Sequence, residues 1–445
     1  MSNFQTILLA IFASVFVIAV LIFADVIKIG GQDTSSSLQG KVVIWGTFDK
    51  SAIQDSINSI TGKNDELNIS YMKKSPDTYQ QELIEAFANG KGPDLFVIDP
   101  GMMKRNANFI YKIPYDNYPQ KTFKDNYIEG AQIYMDQEGI VGFPLYVDPL
   151  VLYYNKDILT NAGIINPPTN WSQLFELNNT LTKRDNSGKI DQSMIALGQF
   201  TNINNAKDIL ATLLIQNNDN LVKKEITKSQ STTSSTYKTV YTSILGDNPS
   251  NYNVSPAEAV LKFFLEFSNV SKSAYSWNKA LDNSLDVFVA GRLAFYLGRA
   301  SELFKIESMN PNLSFDVARI PQAEGSQVNK TFGEIYAIVI NKKSSNTTSA
   351  FSVASTLSTE DNAKNISTSL SLPPVLKSLL SKKPTDNAYL YTFFDSAVIS
   401  RSWIDPDKNQ TNEIFRNMVE NTLSNSMSAS QSISKASNEL GILLK

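Results

Sequence analysis

The stretch GIVGFPLYVDPLVLYYNKD, residues 139–157, decides how this chain folds. Gly142-Phe143-Pro144 reads as a turn, and residues 151–154 read as a strand. Asp148 and Pro149 stand between two apolar runs. Such a placement suits a chain passing from one lobe to another, with the Asp148 carboxylate facing the cleft. The plainer alternative is a solvated linker aspartate.

Upstream, the pattern is β-α-β-α-β. Residues 41–46 (KVVIWG) form a β-branched run closed by glycine. Ile53, Ile57 and Ile60 then recur at helical spacing, with Gly62 as the stop. Residues 67–72 (LNISYM) alternate as a strand. Pro76 is expected to open a second helix carrying Tyr79, Leu83 and Phe87 on one face, closed by Gly90. Residues 94–98 (DLFVI) are the third strand. This order predicts a parallel sheet with right-handed crossovers. Ligands bind beyond the carboxyl ends of such strands, which points to Trp45, Gly46 and Thr47, and to Asp99, Pro100 and Gly101. Trp45 also reads as a core aromatic, and Asp99 before Pro-Gly as a turn former.

Downstream, Pro167-Pro168 interrupt regular structure, and Thr169 or Asn170 is expected to cap the next helix. Residues 185–191 (DNSGKID) faintly resemble a calcium loop, but with the wrong ligand spacing; a polar hairpin turn fits better. Residues 223–253 are rich in Ser, Thr, Asn and Lys, and read as a surface loop or partly disordered insertion. Ser255-Pro256-Ala257-Glu258 is a capping box with proline at the first helical position. Val260, Phe263, Phe264 and Phe267 follow as a buried stripe. Residues 291–298, 315–321 and 332–341 read as further strands, and the chain from about residue 388 as largely helical. No short-period repeat is visible, which excludes solenoids and propellers.

Composition narrows the function. The 445 residues include no cysteine and no histidine. Disulfides, thiol nucleophiles, Cys/His zinc sites and imidazole acid–base steps are therefore unavailable. The net charge of −3 offers no basic excess for nucleic acid. Residues 7–24 are apolar apart from Ser14. As a helix they would span roughly 27 Å, close to a hydrocarbon core of about 30 Å. A cleavable signal peptide has a shorter apolar region, and Ile22 is not the small residue expected two positions before a cut at Ala24. An uncleaved transmembrane anchor is the favoured reading, and a cleaved, secreted form the alternative. Residues 30–40 (GGQDTSSSLQG) read as a flexible tether.

Several segments, in order along the chain, then carry a family resemblance. They are VVIWGTFD (42–49), YQQELIEAFANGKGPDLFVID (79–99), FPLYVDPLVLYYNKDILTNAGI (143–164) and PPTNWSQL (167–174). DVFVAGRLAFYLGRAS (286–301), FDVARIPQAEG (315–325) and FGEIYAIVINKKS (332–344) complete the set. The combination resembles extracellular solute-binding protein family 1, the maltose-binding-protein-like components of ABC importers. That resemblance implies an α/β, two-lobed periplasmic-binding-protein-like fold with discontinuous lobes; the N-terminal transmembrane helix expected from the apolar run departs from the family, whose surface-held members use a lipidated cysteine absent here. Residues 1–29 would be the anchor and 30–40 the tether. Lobe one would take 41–147 and 322–368, and lobe two 148–321 and 369–445.

By the same resemblance, Asp148 matches an acidic sugar contact, and Asp99 and Pro100 lie in a loop carrying another. Gln199 and Asn202 (in LGQFTN) match a cleft-lining strand end. Arg299 lies in a loop that bears an aromatic in many sugar binders; Tyr296 is the nearby aromatic here. Trp403 lies near a C-terminal cleft aromatic, and Phe332 and Tyr336 belong to the returning lobe-one segment. With Trp45 and Thr47, these are the expected ligand-binding residues. The expected protein captures a carbohydrate and delivers it to ABC permease subunits from the outer face of the cytoplasmic membrane. It would be a monomer that needs no metal or cofactor, catalyses nothing and binds no nucleic acid. The alternatives are an anchored glycoside hydrolase using Asp99 and Asp148, and the ligand-binding part of a sensor or adhesion system.

Overall fold

The structure, a computed structural model, describes residues 38–217, 221–230, 235–248 and 253–445. The anchor expected at 7–24 and most of the tether lie outside these residues. No helix among the described residues is long and apolar enough to cross a membrane.

The first lobe opens with β1 (Gly40–Gly46), α1 (Ser51–Thr61), β2 (Leu67–Lys73), α2 (Tyr79–Ala88) and β3 (Leu95–Ile98). β1 pairs in parallel with both β2 and β3, as the order of elements predicts. Ile53, Ile57 and Ile60 are buried on α1, and Tyr79, Leu83 and Phe87 on α2. α2 begins three residues later than expected. Pro76 stands in the preceding turn rather than at the first helical position, and Thr78 occupies the N-cap. Gly90, at φ +64°, ends the helix as expected.

β4 (Phe143–Asn155) is one continuous strand of 13 residues, which corrects the turn expected at 142–144. Pro144 is accommodated at an irregularity: Tyr146 pairs with Tyr336 and Pro144 with Ala337, leaving Leu145 as the extra residue. A bulge tolerates proline because its missing N–H is not needed there. The strand is buried along nearly its whole length. It therefore reads as a continuous apolar run rather than as an alternating one.

The second lobe adds β5 (Lys183–Arg184), β6 (Ile190–Ile195), α3 (Ala206–Gln216), β7 (Val222–Gln230), β8 (Ser235–Ser243) and α4 (Pro256–Glu266). β9 (Leu293–Arg299) and β10 (Phe315–Ala318) follow, then β11 (Thr331–Asn341), α5 (Lys408–Leu423) and α6 (Ala429–Leu443). The continuous strand order is β2-β1-β3-β11-β4-β9-β6-β5. β4 changes partner midway. Phe143 to Pro149 pair with β11, whereas Leu150 onward pairs with β9 and β10. β4 and β11 are thus the strands that join the lobes.

Other expectations meet mixed outcomes. Residues 185–189 form a polar hairpin turn, in which Asp185 Oδ1 accepts from the backbone N–H groups of Ser187 and Lys189. Ser255 caps α4 by accepting from Glu258 N–H at 3.2 Å. Thr169 and Asn170 are not the cap of the helix Gln173–Leu181; Ser172 holds that position, and Gln173 Oε1 reaches back to both backbone N–H groups. Residues 222–230 and 235–243, expected as loop or insertion, pair as antiparallel strands, β7 with β8. Polar composition concealed them, but Val, Ile, Thr and Tyr recur there, and such side chains suit an exposed two-stranded ladder.

Candidate functional site

Asp99 follows directly on β3. Its Oδ1 accepts from the backbone N–H groups of Gly101 (2.8 Å) and Met102 (3.3 Å), an Asx turn that starts the helix Met102–Arg105. Its Oδ2 lies 3.0 Å from Lys408 Nζ. Lys408 is the first residue of α5, and Asp407 caps that helix by accepting from Asn409 and Gln410 N–H at 3.0 Å each. Arg105, from the first lobe, pairs with Asp407.

The Lys408 ammonium also reaches Glu334 Oε1 at 2.5 Å. Glu334, on β11, accepts through Oε2 from Arg299 at 2.6 Å and from the Tyr336 hydroxyl at 3.2 Å. Arg299 donates Nε and a terminal N–H to Asp208 Oδ2 at 2.9 and 2.7 Å. The result is an alternating row, Asp99–Lys408–Glu334–Arg299–Asp208, from one lobe across a joining strand into the other. Beside it, Lys207 Nζ lies 2.6 Å from Asp405 Oδ2.

Burial sets the electrostatics of this row. It raises the Asp99 carboxyl above its usual range, against the pull of Lys408, and the negative charge of Glu334 adds to the rise. Burial would raise Glu334 too, but Lys408 and Arg299 win and hold it well below the ordinary range. Burial disfavours the Lys408 ammonium, yet Asp99 and Glu334 keep it charged. Asp99, Glu334 and Asp208 are buried and tolerate this cost because each has an opposite charge beside it, while the Lys408 side chain remains 45% exposed.

A cavity of about 450 Å³ opens where the lobes meet, lined by Thr47, Tyr79, Asp99, Arg105, Tyr336 and Lys408 among others. A second, of about 470 Å³, is lined by Asn205, Lys207, Asp208, Arg299 and Arg416. The charge row leads from the first to the second. Gly101 is required by close approach: a Cβ there would stand 2.5 Å from the carbonyl oxygen of Asp405.

Seven of the twelve expected residues come together here. Thr47, Asp99 and Tyr336 line the first cavity. Pro100, Arg299, Phe332 and Trp403 line a narrow gap beside it. The other five are placed differently. Asp148 is turned to Ser301, accepting from its backbone N–H (3.0 Å) and hydroxyl (2.6 Å). Asn202 pins a loop, accepting from Trp277 Nε1 and donating to the carbonyls of Asn278 and Leu281. Tyr296 is buried against Phe288 and donates to Glu302. Trp45 is covered by Lys74, whose ammonium lies 3.8 Å from the ring centroid, and its Nε1 is buried without a partner. Gln199 is buried, its Oε1 also unpartnered.

Sequence reading missed Lys408, Glu334, Asp208, Asp405 and Asp407. One signal was available for Glu334, a lone charge inside the apolar strand FGEIYAIVIN. Another was Asp407 directly before a helical run, an N-cap pattern that places Lys408.

Residues 51–364 match the family described as bacterial extracellular solute-binding protein. A Brucella abortus protein described as a binding protein is 31% identical over 99 residues, 22% of this chain. The match spans 24% of that relative's length. A solved cyclo/maltodextrin-binding protein complexed with maltotetraose is similar with a TM-score of 0.71 at 14% identity, over 93% of this chain and 98% of that one. The sugar-binding protein MalE of Xanthomonas citri gives 0.70 at 16%, over 91% and 97%. A Thermotoga lettingae solute-binding protein bound with alpha-D-tagatose gives 0.62 at 18%, over 92% and 100%. Identities at this level carry the fold, which is the two-lobed solute-binding one.

Proposed function

The chain belongs to the bacterial extracellular solute-binding proteins, a family of binding proteins and not enzymes, and from that premise we propose that it captures a carbohydrate between its lobes. The observation that carries this reading is the cavity of about 450 Å³ at the lobe junction, whose lining combines carboxylates and cations with Tyr79 and Tyr336. Its volume suits a small saccharide. Asp99, Asp405 and Asp407 supply hydroxyl acceptors, Arg105 and Lys408 supply donors, and tyrosine faces cover the apolar side of a sugar ring. The ligands named for the similar structures, maltotetraose and alpha-D-tagatose, support the class.

In this proposal lobe one comprises residues 41–147 and 322–368, and lobe two residues 148–321 and 369–445. Closure about β4 and β11 presents the loaded form to the permease subunits of an ABC importer. The apolar run at 7–24 holds the monomer to the outer face of the membrane; with no cysteine in the chain, lipidation at that residue is unavailable. A hydrolase would need Asp99 and Asp148 to flank one glycosidic bond, and Asp148 is instead engaged by Ser301.

A thermal-shift screen against mono- and oligosaccharides, amino acids and polyamines tests the reading. A ligand at 100 times its Kd adds about 2.7 kcal/mol. Asp99→Asn should weaken sugar binding about tenfold or more, since hydrogen bonds to a charged group are worth about 1.5–3 kcal/mol. Stabilisation by no sugar, or only by another solute class, overturns it.

A further inference from the structure

The hairpin β7–β8 belongs by sequence to the second lobe, between α3 and α4, and its far strand packs on α6. It nevertheless makes specific contacts with the first. Lys224, on β7, donates to the carbonyl of Met135 at 2.7 Å and lies 3.6 Å from Asp136 Oδ1. Thr239, on β8, donates to the same Asp136 oxygen at 3.1 Å. Asp136 is fixed from its own side by Lys112 at 2.8 Å. Its segment belongs to the first lobe: Tyr134, two residues earlier, donates to the carbonyls of Ile98 and Ile335. A second crossing runs alongside, where Lys104 of the first lobe donates to the carbonyl of Leu443 at the end of α6 at 2.8 Å. Between the two crossings lies a cavity of about 530 Å³, with Met103, Ile110 and Val141 on one side and Val240, Tyr241 and Leu444 on the other.

We propose that the hairpin is a strap between the lobes, seated on Asp136, that holds them in the arrangement seen here before ligand arrives. A rotation of the lobes about β4 and β11 that parts Lys224 and Thr239 from Asp136 leaves its carboxylate with only Lys112 and the Gln137 backbone N–H. The seat is polar at Asp136 and incompletely packed beside it, so it can release at modest cost. The inference rests on the binding reading for its purpose but not for its test. A strap that changes the fraction of chains in the binding-competent arrangement changes apparent ligand affinity by the same factor.

The absence of cysteine makes the test direct. Asp55→Cys on exposed α1 and Lys305→Cys on the second lobe allow spin labels to report the distance between lobes in the full chain without ligand. The unmodified strap should give one predominant distance. Lys224→Met, and separately the milder Thr239→Val, should add a second population at a different distance, with circular dichroism unchanged. A distribution that neither substitution alters overturns the strap, even where sugar binding is intact. Failure of every sugar to bind overturns the functional reading, while a second distance population still supports the strap.

Discussion

Asp148 and Glu334 stand opposite each other as register partners on β4 and β11, the two strands that join the lobes. They are neutralised from different directions. Glu334 lies between two cations, Lys408 and Arg299, and is held ionised. Asp148 accepts only from Ser301, with Arg299 as its nearest opposing charge, and burial raises its pKa to about 6. The joining strands thus carry one carboxylate fixed in its charge and one that titrates close to neutrality.

Asp148 should leave a signature in the pH dependence of stability. An acid whose folded pKa lies above its unfolded value binds its proton more tightly when folded. Its contribution therefore grows as pH falls from 7 toward 4, by up to about 3 kcal/mol, and levels off below the ordinary carboxylate range. In Asp148→Asn this rise should vanish, because the amide can still bond Ser301 from both sides. Urea melts across that range provide the measurement; equal pH slopes in the two proteins would contradict the assignment.

Asp136 should behave with the opposite sign. Burial favours its neutral form, but Lys112, Lys224 and the Gln137 backbone N–H prevail and draw it down to about 2. Its contribution is complete above pH 4 and is lost as pH falls toward 2. Asp136→Asn should therefore destabilise at pH 7 and have little effect near pH 2. Destabilisation that persists undiminished in acid would show that packing, rather than charge, holds the strap.

Removing the Lys408 ammonium should leave two carboxylates facing each other. Lys408→Met is expected to cost about 1.5–3 kcal/mol of stability, the usual worth of hydrogen bonds to charged groups. Asp99→Asn in the same background should recover part of it, since the lone carboxylate at β3 is then neutral. A double-mutant cycle in chemical denaturation measures this coupling, and strict additivity would mean that the pair contributes nothing.

Gly101→Ala tests how closely the lobes approach. The φ of −64° suits alanine, so backbone strain plays no part. The added methyl meets the Asp405 carbonyl at 2.5 Å and the Asp99 carboxylate at 3.0 Å. Overpacking of this kind costs about 1–3 kcal/mol. The substitution should lower both stability and ligand affinity, because it forces the Asp405 loop away from Asp99. An affinity equal to that of the unmodified protein would remove this contact from the closed form.

The local elements were legible in the sequence because their causes are local. The 3.6-residue spacing of Ile53, Ile57 and Ile60, the cap at Ser255 and the β-α-β-α-β order each lie within a short window, and all are present in the fold. So were the chemical exclusions, since a chain without histidine or cysteine cannot acquire their chemistry by folding. The family resemblance was legible for the same reason, through short motifs kept in order.

What the side chains meet was decided elsewhere. Asp99 and Lys408 are far apart in the chain, and only the return of the C-terminal helices to the cleft brings them within 3.0 Å. Asp148 looked available to a ligand until the turn after β9 placed Ser301 against it. The paired strands at 222–230 and 235–243 looked like loop because their polarity is that of a surface, and their use depends on Asp136 in the other lobe. Periodicity and capping are properties of neighbours in sequence. Ion pairing and burial are properties of neighbours in space, and for these the tertiary structure alone gives the answer.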